Sequence, residues 1–196
     1  MTPMSQRILY LVRHGQTDSE TEPPDALGGG LTALGRKQAR LAARRLSSLP
    51  IAVIHHSTLR RAAETADIIA AKFPGVPLRP SRLLWECVPS VPAGFEAVFA
   101  HVPPEEIRRD RRRAARAFAK YFKRARGGDR HEIVVCHGNL IRYFVCCALQ
   151  APPEIWANTD VHHCGFSEIV INPDGRVRLV SHNDAGHLPR PMRTFV

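Results

Sequence analysis

Two rhythms alternate along this chain. Unbroken apolar runs occur at 8–12, 51–54 and 133–136, and between them apolar residues return every three or four positions. The runs are rich in Ile, Leu and Val and far too short to cross a membrane, so they predict strands buried on both faces, at 7–13, 51–56 and 132–136. The intervening spacing predicts helices. Thr32 reads as the N-cap of a helix whose buried face holds Leu34, Leu41, Ala42 and Leu46. A second helix runs from about 59 to 73 and stops at Pro74-Gly75. A third, 105–126, carries Ile107, Ala114, Phe118, Tyr121, Phe122 and Ala125 as an apolar stripe, and Gly127-Gly128 ends it. Its other face is a run of cations that includes Arg108, Arg109, Arg112, Arg113 and Arg116, read as solvated. A fourth helix reaches about Gln150.

Residues 76–84 predict a short strand leading into Glu86. The stretches 166–171 and 176–181 flank Asn172-Pro173-Asp174-Gly175 and read as a hairpin. Two segments lack any period: 17–30, expected to be a mobile loop, and the proline-rich 87–104, expected to be an ordered loop or lid. Strands alternating with helices predict an α/β protein. It is a three-layer α/β/α sandwich with a largely parallel central sheet and an antiparallel C-terminal hairpin, in one domain spanning 1–196.

Composition narrows the chemistry. The net charge is +10, and the chain holds 24 Arg against 4 Lys, so the excess is mostly guanidinium and favours an anionic partner. The five cysteines, Cys87, Cys136, Cys146, Cys147 and Cys164, are odd in number and follow no disulfide or metal spacing, from which a reducing cytoplasm is expected. Arg7 and Arg13 bracket the first apolar run, so neither a signal peptide nor a membrane anchor is indicated.

The first strand delivers Arg13-His14-Gly15 at its C-terminal end, where parallel sheets place their ligands. Guanidinium offers a planar fork to phosphate oxygens, and imidazole can act as a nucleophile. Beyond the second strand lie Ser57-Thr58-Leu59-Arg60-Arg61 at a helix start. Beyond the third lie His137, Gly138 and Asn139 at a helix N-terminus, which favours anions. If these strands are neighbours, Arg13, His14, Arg61, His137 and the Gly138 N–H share a pocket fit for one tetrahedral dianion. There is no Walker loop and no carboxylate cluster, so no metal or cofactor is expected. His55-His56 and His162-His163-Cys164 suggest metal ligation only until the pleat is considered, since adjacent strand residues point to opposite faces. Cys146-Cys147 lies in an apolar helical segment and reads as core.

The motifs Leu11-Val12-Arg13-His14-Gly15-Gln16-Thr17, Leu31-Thr32-Ala33-Leu34-Gly35-Arg36, Ser57-Thr58-Leu59-Arg60-Arg61-Ala62, Leu83-Leu84-Trp85-Glu86 and Val135-Cys136-His137-Gly138 occur in that order. Together they resemble the histidine phosphatase (phosphoglycerate mutase-like) superfamily. The segments 63–69, 138–146 and 173–177 liken the chain to its serine/threonine phosphatases, and residues 87–130 match least. The resemblance implies His14 as nucleophile, forming a phosphohistidine, and Arg13, Arg61 and His137 as clamps on the phosphoryl oxygens. It implies Glu86 as general acid and then base. Gly138 and Asn139, at their helix N-terminus, read as substrate-binding, although Asn139 can equally cap its helix. Arg60 is expected to be solvated.

The implied activity is that of a metal-independent phosphomonoesterase, a histidine phosphatase acting on phosphoproteins. Small phosphate esters and a phosphoglycerate-type mutase remain alternatives. A basic nucleic-acid-binding protein is the non-enzymatic rival, and the lack of aromatics among the cations of 105–126 speaks against it. If that helix rims the pocket, its arginines would steer acidic phosphopeptides toward it. No feature of the sequence bears on oligomeric state.

Overall fold

The computed structural model describes residues 5–17 and 27–195. Strands β1 (Arg7–Arg13), β2 (Ile51–Ser57) and β4 (Arg130–Cys136) form the middle of a six-stranded sheet, with β3 (Leu78–Ser81), β5 (Phe166–Ile171) and β6 (Val177–Asp184) outside them. The order is β3-β2-β4-β1-β5-β6. β1, β2, β3 and β4 run parallel, and the β5–β6 hairpin joins β1 antiparallel. The three strands singled out in the sequence are therefore adjacent, with β4 in the centre.

Helices cover both faces, which explains why these strands are apolar throughout. On one side α1 (Ala33–Leu46) and α2 (Arg60–Ala70) bury Ala43, Leu46, Ala62, Ala66 and Ile69 against Ile8, Tyr10, Val12, Ile54 and Ile133. On the other, α4 (Pro104–Tyr121) and α5 (Gly138–Ala148) bury Ala114, Ala117, Leu140, Ile141 and Phe144 against Leu9, Leu11 and Val134. Alternate residues of β1 thus feed two cores, and the three-layer architecture is the one expected.

Several boundaries differ from the sequence reading. α1 starts as expected, its Thr32 hydroxyl accepting from the Gly35 N–H at 2.9 Å. Its buried face is rotated, however: Gly35, Gln38 and Ala39 lie inside with Ala42 and Leu46, whereas Leu34 and Leu41 are only partly covered. α2 ends at Ala70, before the expected 73. The helix expected over 105–126 stops at Tyr121, because Arg7 donates to the carbonyls of Tyr121 and Lys123, both at 3.2 Å, and Phe122 turns in to meet Phe118 and Phe144. The expected loop or lid 87–104 holds a one-turn helix, α3 (Glu96–Phe99), and is pinned where the Trp156 indole donates to the Ser90 carbonyl. Of the loop expected over 17–30, residues 18–26 lie outside the described residues. Its ends meet, with the Thr17 hydroxyl donating to the Gly30 carbonyl at 2.7 Å.

Below the sheet, far from the strand C-termini, Glu132 is fully buried yet accepts from Arg7, Arg130 and His55. These partners outweigh the cost of its burial and hold its carboxyl at about 2. Among the described residues, no helix is long and apolar enough to cross a membrane.

The turn after β1 packs directly onto the first turn of α1. A Cβ on Gly35 would lie 2.1 Å from the Gln16 carbonyl oxygen, and one on Gly15 would lie 2.6 Å from that of Gly35. Gly35→Ala therefore cannot be absorbed without moving backbone. It is expected to cost about 1–3 kcal/mol, or about 2–4 °C of melting temperature per kcal/mol in a chain of this size. An unchanged melting temperature would mean that the two backbones are not held in contact.

Candidate active site

The parallel register places Arg13 beside Cys136, so the turns following β1 and β4 leave the sheet together. The His14 N–H donates to the Cys136 carbonyl at 3.0 Å, and the imidazoles of His14 and His137 lie with centroids 5.1 Å apart. Arg61, in the first turn of α2, points its Nε–H at His14 Nε2 across 3.2 Å. A guanidinium can only donate, so Nε2 carries the lone pair and Nδ1 carries the proton, donating to the Gly15 carbonyl at 2.8 Å. The contact thus fixes the tautomer of His14.

His137 is fully buried at the N-cap of α5. Its Nε2 meets the Ser57 hydroxyl at 2.8 Å, and that hydroxyl already accepts from the Leu59 N–H. In the tautomer whose Nε2 takes the Ser57 proton, Nδ1–H of His137 is left as a donor. That atom and Arg13 Nε are both buried with no partner among the described residues. Among the described residues five other buried side-chain polar atoms, on Tyr121, Arg142, His182 and His187, also lack partners. The atoms on Arg13 and His137, however, lie beside His14, and the guanidinium N–H there can only donate, which fits the cleft to an anion. Arg13 is held by its Nη1, which donates to the Val161 carbonyl at 2.7 Å. Gly138 lies beneath it, with a Cβ there falling 3.4 Å from Arg13 Nε.

Glu86 is the carboxylate of this group. Its Oε1 accepts from the Cys87 N–H at 3.0 Å, and the Asn139 backbone N–H also donates to the carboxyl. Asn139 thus contributes through its main chain.

Burial dominates the electrostatics. It drives His14 well below the ordinary histidine range, with His137, Arg61 and Arg13 adding repulsion. The same burial and the same arginines drive His137 down. Arg13 falls to about 10 through burial, partly restored by Glu86, and stays charged at neutral pH. Lost hydration raises Glu86 despite the Cys87 N–H and the two arginines. The site therefore holds neutral imidazoles, fixed cations and a carboxyl biased toward its acid form.

Sequence reasoning missed several members. His163 was weighed only as part of a metal doublet, yet its ring lies 5.4 Å from that of His14, its Nδ1 meets Thr194 Oγ1 at 2.8 Å, and burial takes it down to about 3. His162 instead stacks on Phe195, and the two histidines lie in the turn before β5 rather than in a strand, so the pleat that argued against chelation does not govern them. Thr65 donates to the Arg61 carbonyl at 2.7 Å and accepts the Gly15 N–H at 3.1 Å, tying α2 to the turn after His14. Gln38 is buried between the Gln16 N–H and the Met192 carbonyl.

Arg113, read as solvated, is instead a brace. It donates to the carbonyls of Trp85 (2.6 Å) and Glu86 (2.7 Å) and pairs at 2.7 Å with the buried Asp110, whose other oxygen takes the Val88 N–H at 3.0 Å. No group of three or more His, Cys, Asp or Glu among the described residues is arranged as metal ligands are. His55 bonds Glu132, and His56 bonds its neighbour's carbonyl.

The family model described as the histidine phosphatase superfamily (branch 1) matches residues 9–90 and 88–185. The mouse protein named serine/threonine-protein phosphatase PGAM5, mitochondrial, is 39% identical over 192 residues, covering 93% of this chain and 64% of its own length. The Caenorhabditis briggsae protein of that name is 38% identical over 190 residues, covering 94% and 65%. The chain thus spans less than two thirds of these relatives. Among solved structures, a phosphoglycerate mutase from Plasmodium falciparum aligns with a TM-score of 0.66 at 29% identity over 94% of this chain and 95% of that one. Bacillus stearothermophilus YhfR aligns with a TM-score of 0.74 at 21% identity, covering 92% of this chain and 98% of its own, and shows the fold alone. The relatives are named mitochondrial, which overturns the cytoplasmic placement expected from the cysteines. All five cysteines are unpaired, which does not single out one compartment.

Keeping His14, His137 and His163 neutral has a consequence for stability. Their folded pKa values lie below the unfolded value, so below it the unfolded chain binds more protons. The stability they lend is present above about pH 6.5 and is lost as pH falls below it, by about 1.4 kcal/mol per pH unit for each group. Melting temperatures between about pH 7 and pH 5 are expected to fall steeply, and His163→Gln to flatten the slope. A flat profile in that window would refute the burial of neutral histidines.

Proposed function

The chain belongs to the histidine phosphatase superfamily, and on that premise we propose that it is a metal-independent phosphomonoesterase that dephosphorylates serine and threonine side chains of proteins through a phosphohistidine on His14. The observation that carries this reading is Arg61 donating to His14 Nε2 while the buried Arg13 Nε and His137 Nδ1 beside it have no partner among the described residues. A nucleophilic lone pair and a set of anion donors converge on one spot. The similarity to proteins named serine/threonine phosphatases supports the substrate class, and their mitochondrial designation carries the same reading of location.

In this mechanism a phosphate ester enters with its oxygens toward Arg13, Arg61, His137 and the N-terminus of α5. The Arg61 side chain passes from His14 to the phosphoryl oxygens, freeing Nε2 to attack phosphorus in line. The P–N bond forms as the bond to the ester oxygen breaks, and Glu86 gives its proton to the departing alkoxide. The Gly15 carbonyl stabilises the imidazolium through Nδ1–H. Water then attacks with Glu86 as base, the P–N bond breaks, and inorganic phosphate leaves. The charge that develops on the equatorial oxygens meets fixed guanidinium and imidazole donors, which is where phosphoryl-transfer enzymes gain most of their rate. That stabilisation leaves no electrostatic role for a divalent cation. The likeness to a phosphoglycerate mutase keeps one second reading, in which a bound hydroxyl replaces water in the last step. Release of free phosphate separates the two.

His14→Ala is expected to abolish turnover, and acid-labile, base-stable phosphate is expected on the wild-type chain after rapid quenching. Phosphate trapped on Ser or Cys, or full activity in the variant, would remove the mechanism. The brace gives a second test. Arg113→Met should let Glu86 drift and slow an alkyl phosphate, which needs its leaving oxygen protonated, on the order of 10–100-fold. 4-Nitrophenyl phosphate, whose leaving group needs no proton, should be nearly spared. Equal losses on both substrates would assign Arg113 to the phosphoryl group instead.

A further inference from the structure

This inference rests on the reading of Glu86 as the acid. A carboxyl that protonates the leaving oxygen must touch it, so the leaving group lies against Glu86, and the surface around Glu86 recognises whatever continues beyond the phosphoryl group. Glu86 lines a cavity of about 440 Å³ with Arg82, Trp85, Glu106, Arg109, Asp110 and Arg113. An adjoining cavity of about 410 Å³ shares Arg82, Arg109 and Arg113 and continues along α4 to Arg112 and Arg116. The two form one groove between α4 and the segment from Ser81 to Glu86.

The charges in this groove do not cancel. Arg113 is spent on Asp110 and two carbonyls. Arg109 meets Glu106 only at 3.5 Å, with both side chains largely exposed, a pairing that contributes little. Arg82 lies over the Trp85 ring at 5.6 Å. Arg112 and Arg116 are exposed and make no ion pair or side-chain hydrogen bond among the described residues. They are four residues apart on one helix face, about 6 Å along its axis. Side chains on one side of an extended peptide repeat at about 6.4–6.8 Å, so two acidic residues of such a peptide can meet both arginines.

We propose that this groove is the leaving-group subsite, and that it selects phosphorylated side chains carried on peptide flanked by Asp or Glu. A sugar phosphate reaches Glu86 but has nothing to place against Arg112 and Arg116. A nucleic acid would supply anions but also bases, and Trp85, the aromatic ring here, is already covered by Arg82. The selectivity is electrostatic and solvent-exposed, so it acts on capture of substrate and weakens with salt.

The test compares three phosphoserine peptides of equal length with acidic, neutral and basic flanks, together with 4-nitrophenyl phosphate. The expected result is a kcat/KM at least about tenfold higher for the acidic than for the neutral peptide at low salt, falling toward parity as ionic strength rises. Replacing Arg82, Arg109, Arg112 and Arg116 by Gln should bring the preference to within about threefold and leave 4-nitrophenyl phosphate turnover unchanged. Equal rates on the three peptides would overturn the proposal. So would a preference that survives the fourfold substitution, stronger inhibition by a mixed-sequence RNA than by an acidic peptide of the same charge, or one small ester outpacing every peptide a hundredfold. If wild type hydrolyses no peptide, the phosphoprotein reading itself fails. The groove is then judged by binding of the same peptides to the His14→Ala chain, where an acidic preference lost in the Gln variant supports it and its absence overturns it.

Discussion

The contact between Arg61 and His14 sets the terms for the rest of the molecule. A guanidinium aimed at an imidazole is repulsive as soon as the imidazole is protonated, so the pair persists only while His14 stays neutral. Burial secures that, and the polar groups buried alongside need hydrogen-bond partners in turn. The fold supplies backbone and hydroxyl partners: the Gly15 carbonyl for His14, the Val161 carbonyl for Arg13, and Ser57 for His137. Each comes from a different segment, and only a closed three-layer sandwich brings those segments to one point.

The two ends of the sheet make the contrast plain. At the N-terminal ends of β1 and β4, Glu132 is buried with Arg7, Arg130 and His55 all turned onto it, so the charge of the carboxylate is compensated within the protein. At the C-terminal ends the cations outnumber the single carboxyl Glu86, and the buried Arg13 Nε and His137 Nδ1 have no partner among the described residues. The first arrangement ties the strands together around a paired carboxylate. The second is balanced only when an anion arrives. Similar residues thus serve structure at one end and chemistry at the other, and the difference is whether the compensating charge belongs to the chain.

Helix α4 joins these functions. Its buried face seals one core, Arg113 and Asp110 brace the backbone that carries Glu86, and its outer arginines line the groove beyond. A charge pattern alone assigns all of these arginines to solvent. The one that turns inward does so because Asp110, one turn before it, is buried and needs a partner. No local rule of helix periodicity announces a buried aspartate on a helix so rich in arginine.

The alternation of apolar runs and helical spacing determined the sandwich, because strands covered on both faces must be apolar throughout. The ordered motifs determined which residues end the strands, since Arg13-His14-Gly15 and His137-Gly138 follow their apolar runs directly. What depends on contacts between distant segments was decided by the tertiary structure alone. That β2, β4 and β1 are neighbours, that His163 faces His14 from a turn far along the chain, and that Arg113 reaches the Glu86 carbonyl are all of this kind. The same holds for the close approach of Gly35 to Gln16. A sequence records each residue's chemistry and its local spacing. Which donor is left without an acceptor, and so waits for a ligand, is settled only when all the other pairs have formed.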